Sequence, residues 1–522
     1  MTPLYNDQAL DMQGHSDDPP EGWVSAKLPE IAHINMGQSP PGRSYNNRGN
    51  GLPFFQGKAD FGDRYPTVRV WCSQPKKIAQ PGDVLISVRA PVGPTNVADR
   101  ICAIGRGLAA MTPLGGIPSK FILFRLRLLE PELALTGTGS TFSAISRKDL
   151  EEIDIDVPPL AEQKRIVAKV EELLLRVNTT KERLAKVSMI LKRFRQAVLA
   201  AACSGRLTAD WREENPNLES ATGLFERIQR NRKKQYIEEC ERAKVDKKHK
   251  PRKPTNLDDK LQTENVEEFQ PIPSTWIYVP LARVSVKGTN SIVDGPFGTS
   301  VNVKKDYIDN GVPVVRINNI KAFSFLLDDL RFVSETKFQQ LKRHDIIPGD
   351  VLLTKVGTIG ESCVFPPFFE KALLSTTGSC RIRVYRDLAD NKFICIYLNS
   401  IKNYLNSIVS ESVQPFLNMR VVKNLPTALP PIDEQQEIVR RVESIFELTD
   451  TIQKRVADAS VRAEKLNQAI LAKAFRGELV PTEAELARRD GRVYETASEL
   501  LARIKSQRDA KQVSQKVHSN RN

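Results

Sequence analysis

The hydrophobic positions of this chain follow two different periods. In one stretch Val170, Leu173, Val177, Thr180, Leu184, Val187, Leu191, Phe194, Val198 and Ala201 recur three and four residues apart, the a/d seam of a heptad repeat with one polar interruption. A second seam runs through Val442, Ile445, Thr449, Ile452, Val456, Ala459, Ala463, Leu466 and Ile470. Pro158-Pro159 and Pro430-Pro431 stand before the two stretches and Gly205 and Gly477 behind them, which fits helix starts and stops. Asp433 with Gln436 makes a candidate capping box. Helices over 160–203 and 432–475 are predicted, each roughly 66 Å long at about 1.5 Å per residue. Each is the obvious complement of the other, so an intramolecular coiled coil is expected; two separate core helices is the alternative.

Elsewhere the pattern is that of strands. Pro81-Gly82-Asp83 precedes Val84-Leu85-Ile86-Ser87-Val88, Pro348-Gly349-Asp350 precedes Val351-Leu352-Leu353, and Gly311-Val312-Pro313 precedes Val314-Val315-Arg316-Ile317, each a turn signal followed by a β-branched run. Residues 120–133 and 392–405 return to helical spacing.

The chain also repeats itself. Residues 120–207 align with 392–479 without a gap, so that Pro158-Pro159-Leu160-Ala161-Glu162-Gln163 falls on Pro430-Pro431-Ile432-Asp433-Glu434-Gln435. Leu224-Phe225-Glu226-Arg227-Ile228 returns near the end as Leu500-Leu501-Ala502-Arg503-Ile504. The expected segments are a module at 1–157, a long helix at 158–207, a basic charged linker at 208–270, a second module at 271–429, a second long helix at 430–479, and a C-terminal amphipathic helix and tail at 480–522.

Length and charge narrow the function. At 522 residues the chain needs several cores, and a mean hydropathy of -0.36 with no apolar run of membrane-spanning length points to a cytoplasmic protein without a membrane partner. The net charge of +14 is unevenly placed. Residues 31–129 carry 13 Lys/Arg against 4 Asp and no Glu, 271–429 carry 19 basic against 13 acidic residues, and 227–253 carry 12 against 4. Positive charge on foldable segments makes nucleic acid the leading partner class.

Catalytic motifs are missing. Phe365-Pro366-Pro367-Phe368 is the nearest approach to the clamp of a base-flipping methyltransferase, and Phe cannot hold an exocyclic amine. Gly57-Lys58 lacks the rest of a phosphate-binding loop. Seven cysteines and five histidines show neither metal nor disulfide spacing.

The repeated strings carry a resemblance. Pro158 to Gln163, Ile190-Leu191-Lys192-Arg193-Phe194-Arg195-Gln196-Ala197-Val198-Leu199, and Ile470-Leu471-Ala472-Lys473-Ala474-Phe475-Arg476-Gly477-Glu478-Leu479 resemble the conserved regions of the specificity subunit of Type I restriction-modification systems. Trp23 and Trp276 open the modules in that family's Pro-x-x-Trp style, while the basic stretch 227–253 departs from its layout. The resemblance implies an α+β protein with an internal two-fold repeat, in which two mixed α/β target recognition domains are separated by a long antiparallel two-helix coiled coil. It further implies a non-catalytic subunit that reads a split double-stranded DNA sequence and docks two modification (methyltransferase) subunits and restriction subunits. S-adenosylmethionine, ATP and Mg are then expected in those partners and no cofactor or metal in this chain. A coiled-coil scaffold and a stand-alone nucleic-acid enzyme are the competing readings.

Side chains suited to phosphates or base edges on polar loops are the candidate DNA contacts. In the first module these are Gln38, Arg43, Lys58, Arg64 and Arg89. In the second they are Ser300, Asn302, Lys304, Lys305, Arg316, Asn318, Asn319 and Lys355.

Overall fold

A computed structural model describes residues 19–62, 65–136, 144–247, 249–251, 269–285, 291–297, 300–302, 305–385, 389–409 and 415–519. The chain forms two compact units, Met1–Ala185 with Ala457–Asn522, and Lys186–Val456. Each unit holds one module, the first part of one long helix and the last part of the other.

In the first unit a four-stranded antiparallel sheet runs in the order Ala32–Met36, Leu108–Pro113, Val84–Ser87, Thr95–Val97. Alternation along these strands sends Val84, Ile86, Ala109 and Met111 to one core, and Leu85, Leu108 and Ala110 to a second. The second core is shared with a five-stranded sheet, in which Leu52–Phe55 and Cys102–Ile104 lie side by side in parallel. The strand Val24–Lys27 pairs with Asp154–Val157, so the module closes where it opens.

The second unit repeats this plan. Its four-stranded order is Ile292–Asp294, Ser379–Ile382, Val351–Thr354, Ser362–Val364, and Val312–Val315 runs parallel to Ala372–Leu374 in a five-stranded sheet. Ile277–Pro280 pairs with Pro426–Leu429 to close it. The Pro-Gly-Asp turns work alike in both: Gly82 and Gly349 have φ of 89° and 85°, values that favour glycine. The following carboxylates hold the turn, Asp83 Oδ2 accepting from Gln80 N at 2.7 Å and Asp350 Oδ2 from Ile347 N at 2.9 Å.

The long helices span Leu160–Cys203 and Ile432–Phe475. Pro158 and Pro430 carbonyls accept from the side chains of Gln163 at 2.8 Å and Gln435 at 2.9 Å, and this bond, rather than a box between Asp433 and Gln436, ties down the second helix start. Asp433 lies inside the first turn, where negative charge suits the helix dipole. Within each unit the two helices run antiparallel. In the first, Lys181 pairs with Glu464, and Arg165 with Glu483 just past the end of the second helix; in the second, Arg195 donates to Thr449 at 3.0 Å, and Arg441 to the Leu207 carbonyl, just past the end of the first helix, at 2.8 Å. The expected seam is covered at Val170, Val177, Leu191, Val198, Val442, Thr449, Ala463 and Ile470. Phe194 and Leu466 remain exposed, as expected when a 3.6-residue helix drifts off a 3.5-residue pattern.

A matching polar node anchors each module to its helices. Trp23 Nε1 donates to Glu162 Oε1 at 2.9 Å, and Glu483 N donates to the other oxygen at 2.7 Å. Trp276 Nε1 donates to Glu434 Oε2 at 2.8 Å, while Thr208 and Arg212 bind Oε1. Beside these nodes Gly477 and Gly205 end the long helices at φ of 75° and 74°. A Cβ there would meet the rings of Pro20 and Pro273, at 2.7 and 2.4 Å. The residues of the two Pro-x-x-Trp openings thus have specific seats.

The segment expected to be a linker contains a helix, Ala221–Val245, capped by Ser220. Leu224 and Phe225 bury themselves in the core of the second unit, and Arg242 and Lys244 sit in its last turn, where cations suit the dipole. Of the basic run 227–253, residues 248, 252 and 253 lie outside the described residues. The echo of this helix, Ala497–Ser519, sinks Leu500 and Ile504 into the first unit. Among the described residues no helix is long and apolar enough to cross a membrane.

Candidate nucleic-acid interface

Three glycines shape a cleft of the first module. Gly37 N donates to the Leu108 carbonyl at 2.9 Å, and Val88 N to the Gly107 carbonyl at 2.9 Å. A Cβ on Gly37 would stand 2.2 Å from the Gly105 carbonyl oxygen, and one on Gly107 would stand 2.2 Å from that of Gln56. Glycine at 37 and at 107 lets these backbones approach, and the turn before Gly107 leaves Arg106 exposed. The result is a cleft of 480 Å³ lined by Ser39, Tyr45, Gln56, Lys58, Arg89 and Arg106, among others.

Lys58, Arg89 and Arg106 are all exposed, and none of them forms an ion pair among the described residues. Burial raises the Glu130 carboxyl above its usual range, while Arg127 and Lys58 pull it back. The cleft therefore offers three cations, an amide and three hydroxyl-bearing side chains, of which Tyr45 and Ser87 donate to the carbonyls of Pro40 and Arg89. That set of donors matches phosphate oxygens and the acceptor edges of bases.

Of the first-module candidates, Lys58 and Arg89 meet in this cleft. Gln38 and Arg43 are exposed on neighbouring loops, Gln38 N donating to the Ile104 carbonyl at 3.1 Å and Arg43 sitting in the single turn Gly42–Ser44. Arg64 lies outside the described residues. Arg106 and Gln56 were not singled out from the sequence; a lone arginine between two glycines, next to the Leu108–Pro113 strand, is the signal that marks a displayed side chain.

The second module distributes its candidates differently. Asn318 and Lys305 are exposed, as is Asn302, whose backbone N donates to Asp306 Oδ2 at 2.6 Å. Ser300 N donates to the Phe297 carbonyl at 2.8 Å, and Lys304 lies outside the described residues. Three candidates are engaged within the fold. Arg316 binds Asp329 through the carboxylate and the carbonyl, both at 2.5 Å. Asn319 is fully buried, its amide nitrogen donating to the carbonyls of Leu326 and Asp328 and its oxygen accepting from Arg316 N. Lys355 is buried with its ammonium 3.4 Å from Asp294. For Asn319 and Lys355 the internal partners replace the surface role expected from side-chain type alone, because each sits where the chain turns inward.

Arginines on the long helices also have internal partners. Arg195 lies over the Phe446 ring at 5.3 Å while bonding Thr449. Arg440 and Arg441 both grip Glu437 and hold its carboxyl down to about 2. Among the described residues no group of three His, Cys, Asp or Glu is placed to hold a metal ion.

Two α/β modules of one plan, each keyed by a tryptophan to a long helix and one carrying an open cationic cleft, describe a duplicated recognition protein. The family profile described as "Type I restriction modification DNA specificity domain" matches residues 20–189 and again 297–458, more than half of the sequence, and the chain belongs to that family. It is similar to the Type I restriction enzyme EcoKI specificity subunit of Escherichia coli (strain K12), 28% identical over 485 residues that cover 88% of this chain and 90% of that protein. The EcoDI specificity subunit of Escherichia coli is 26% identical over 467 residues, covering 88% and 89%. Among solved structures, an HsdS subunit from Thermoanaerobacter tengcongensis is 53% identical where it matches, covering 32% of this chain and 40% of that one with a TM-score of 0.30.

Proposed function

We propose that this chain is the sequence-specific DNA-binding subunit of a type I restriction-modification complex, reading a split double-stranded target with one module per part. The observation that carries the reading is the duplication: the family profile matches twice, and each match opens in a closed α/β module and continues into a long helix. The cations of the first cleft supply the affinity for a polyanion. The antiparallel helices are the docking surface for two modification subunits and for restriction subunits, and those partners hold S-adenosylmethionine, ATP and Mg. The chain itself recognises and does not catalyse.

Exchanging residues 28–153, inside the closing strand pair, for the matching segment of a related subunit tests this. In a complex reconstituted with its modification subunits, the exchange changes one part of the methylated sequence and leaves the other part unchanged. A swap that alters both parts, or methyl transfer to DNA by the purified chain alone, overturns the reading.

A further inference from the structure

The two modules answer each other bond for bond, so their reading positions can be compared one at a time. Val88 N donates to the Gly107 carbonyl and Lys355 N to the Gly378 carbonyl, at 2.9 and 2.8 Å. Arg89 bridges to Ala144 where Val356 bridges to Phe416. Gly37 N meets the Leu108 carbonyl where Gly295 N meets that of Ser379. Phe55 lies beside Ile104 as Val315 lies beside Leu374. These correspondences set Phe297 at the place of Ser39, Asn318 at that of Lys58, and Val356 at that of Arg89. Thr376 and Thr377 occupy the turn that carries Arg106.

The chemistry at the two places is opposite. The first has three cations around a cleft, none of them in an ion pair among the described residues. The second has an exposed amide at Asn318 and exposed rings at Phe297 and Phe416, 78% and 43% accessible. Its cations in corresponding places are paired within the fold, Arg316 at the position of Gln56 with Asp329 and Lys355 at that of Val88 with Asp294. A guanidinium forks onto the two acceptors of guanine, an amide onto adenine, and an apolar ring packs on the methyl of thymine.

We propose that the modules read different base chemistry: the first recognises a G·C-containing half-site through Arg89 and Arg106, and the second recognises A·T pairs through Asn318 and the Phe297 and Phe416 rings. This rests on the reading of the chain as a DNA specificity subunit. Lys58, whose ammonium lacks the fork, takes phosphate.

Selection of bound duplexes from a random library, using the chain in complex with its modification subunits, tests the assignment. The unaltered complex selects a two-part sequence with at least one fixed G·C pair in one part and fixed A·T pairs in the other. Arg106→Ala or Arg89→Ala relaxes discrimination at a G·C pair roughly 5- to 150-fold, the loss of one bidentate base contact. Phe297→Ala relaxes an A·T pair in the other part. Unchanged selection by the unaltered module reports that each variant is folded, and Arg106→Lys, which keeps the charge without the fork, relaxes the same pair. Half-sites with the reverse composition, or arginine variants that keep every base preference, overturn the inference. A complex that selects no two-part sequence at all overturns instead the underlying reading of the chain.

Discussion

Trp276 donates its indole N–H to Glu434 at 2.8 Å, joining the opening of the second module to the first turn of a helix 158 residues further on. Glu434 is fully buried and also accepts from Thr208 and Arg212, so the indole completes a buried polar network. Trp276→Phe keeps an aromatic ring but removes the donor and part of the buried indole, at a cost of at least about 1.5–3 kcal/mol. Hydrogen exchange locates the loss: amides within 186–456 exchange faster, while those around Trp23 and Glu162 keep their protection.

Asn318 and Asn319 are neighbours with opposite fates. Asn319→Ala strips three hydrogen bonds from a buried loop and destabilises the second unit by about 1–3 kcal/mol. Base selection by the folded fraction is unchanged. Asn318→Ala leaves unfolding in urea unchanged within about 0.5 kcal/mol and alters the selected sequence.

Lys58, proposed above as a phosphate contact, lines the cleft beside Arg89 and Arg106. Lys58→Ala weakens DNA binding by a similar factor for every target sequence and lowers the slope of log affinity against log salt by about one. A binding series from low to moderate salt on two unrelated targets reads both effects.

Glu437 ties the helix arginines to pH. Arg440 and then Arg441 bond its carboxyl and hold it down to about 2, below the ordinary glutamate range near 4.3. A depressed carboxylate stabilises the fold above its unfolded value and loses that contribution as pH falls through its folded one. Glu437→Gln therefore costs about 1 kcal/mol at pH 7, and the difference from the parent fades between about pH 4.3 and pH 2. Urea unfolding across that range, followed in the second unit, measures it.

The long helices were legible in the sequence because their signals are local. Spacing, Pro-Pro before and Gly after need nothing from elsewhere, and both helices run as expected over 160–203 and 432–475. Whether a polar side chain faces solvent is not local. Lys355 reads as a free cation until Asp294, from a different strand, is brought beside it. Arg106 draws no attention in a list of basic residues, and only the close approach of Gly37, Gly105, Gly107 and Gln56 shows that the turn leaves it exposed. The helix at Ala221–Val245 was legible only at its start, where the amphipathic string Leu224 to Ile228 returns at Leu500 to Ile504; the rest is dominated by charge, and Leu224 and Phe225 find their core only in the second module.

The two units close at different times during synthesis. Residues 186–456 form one continuous stretch, so a ribosome delivers the whole second unit before the chain is finished. The first unit needs Ile470, Leu471, Phe475, Leu500 and Ile504 to fill its core, and its Glu162 waits for the backbone of Glu483. The module translated first is thus the last to be completed. Until the final segment emerges, its apolar face stands open to chaperones and proteases.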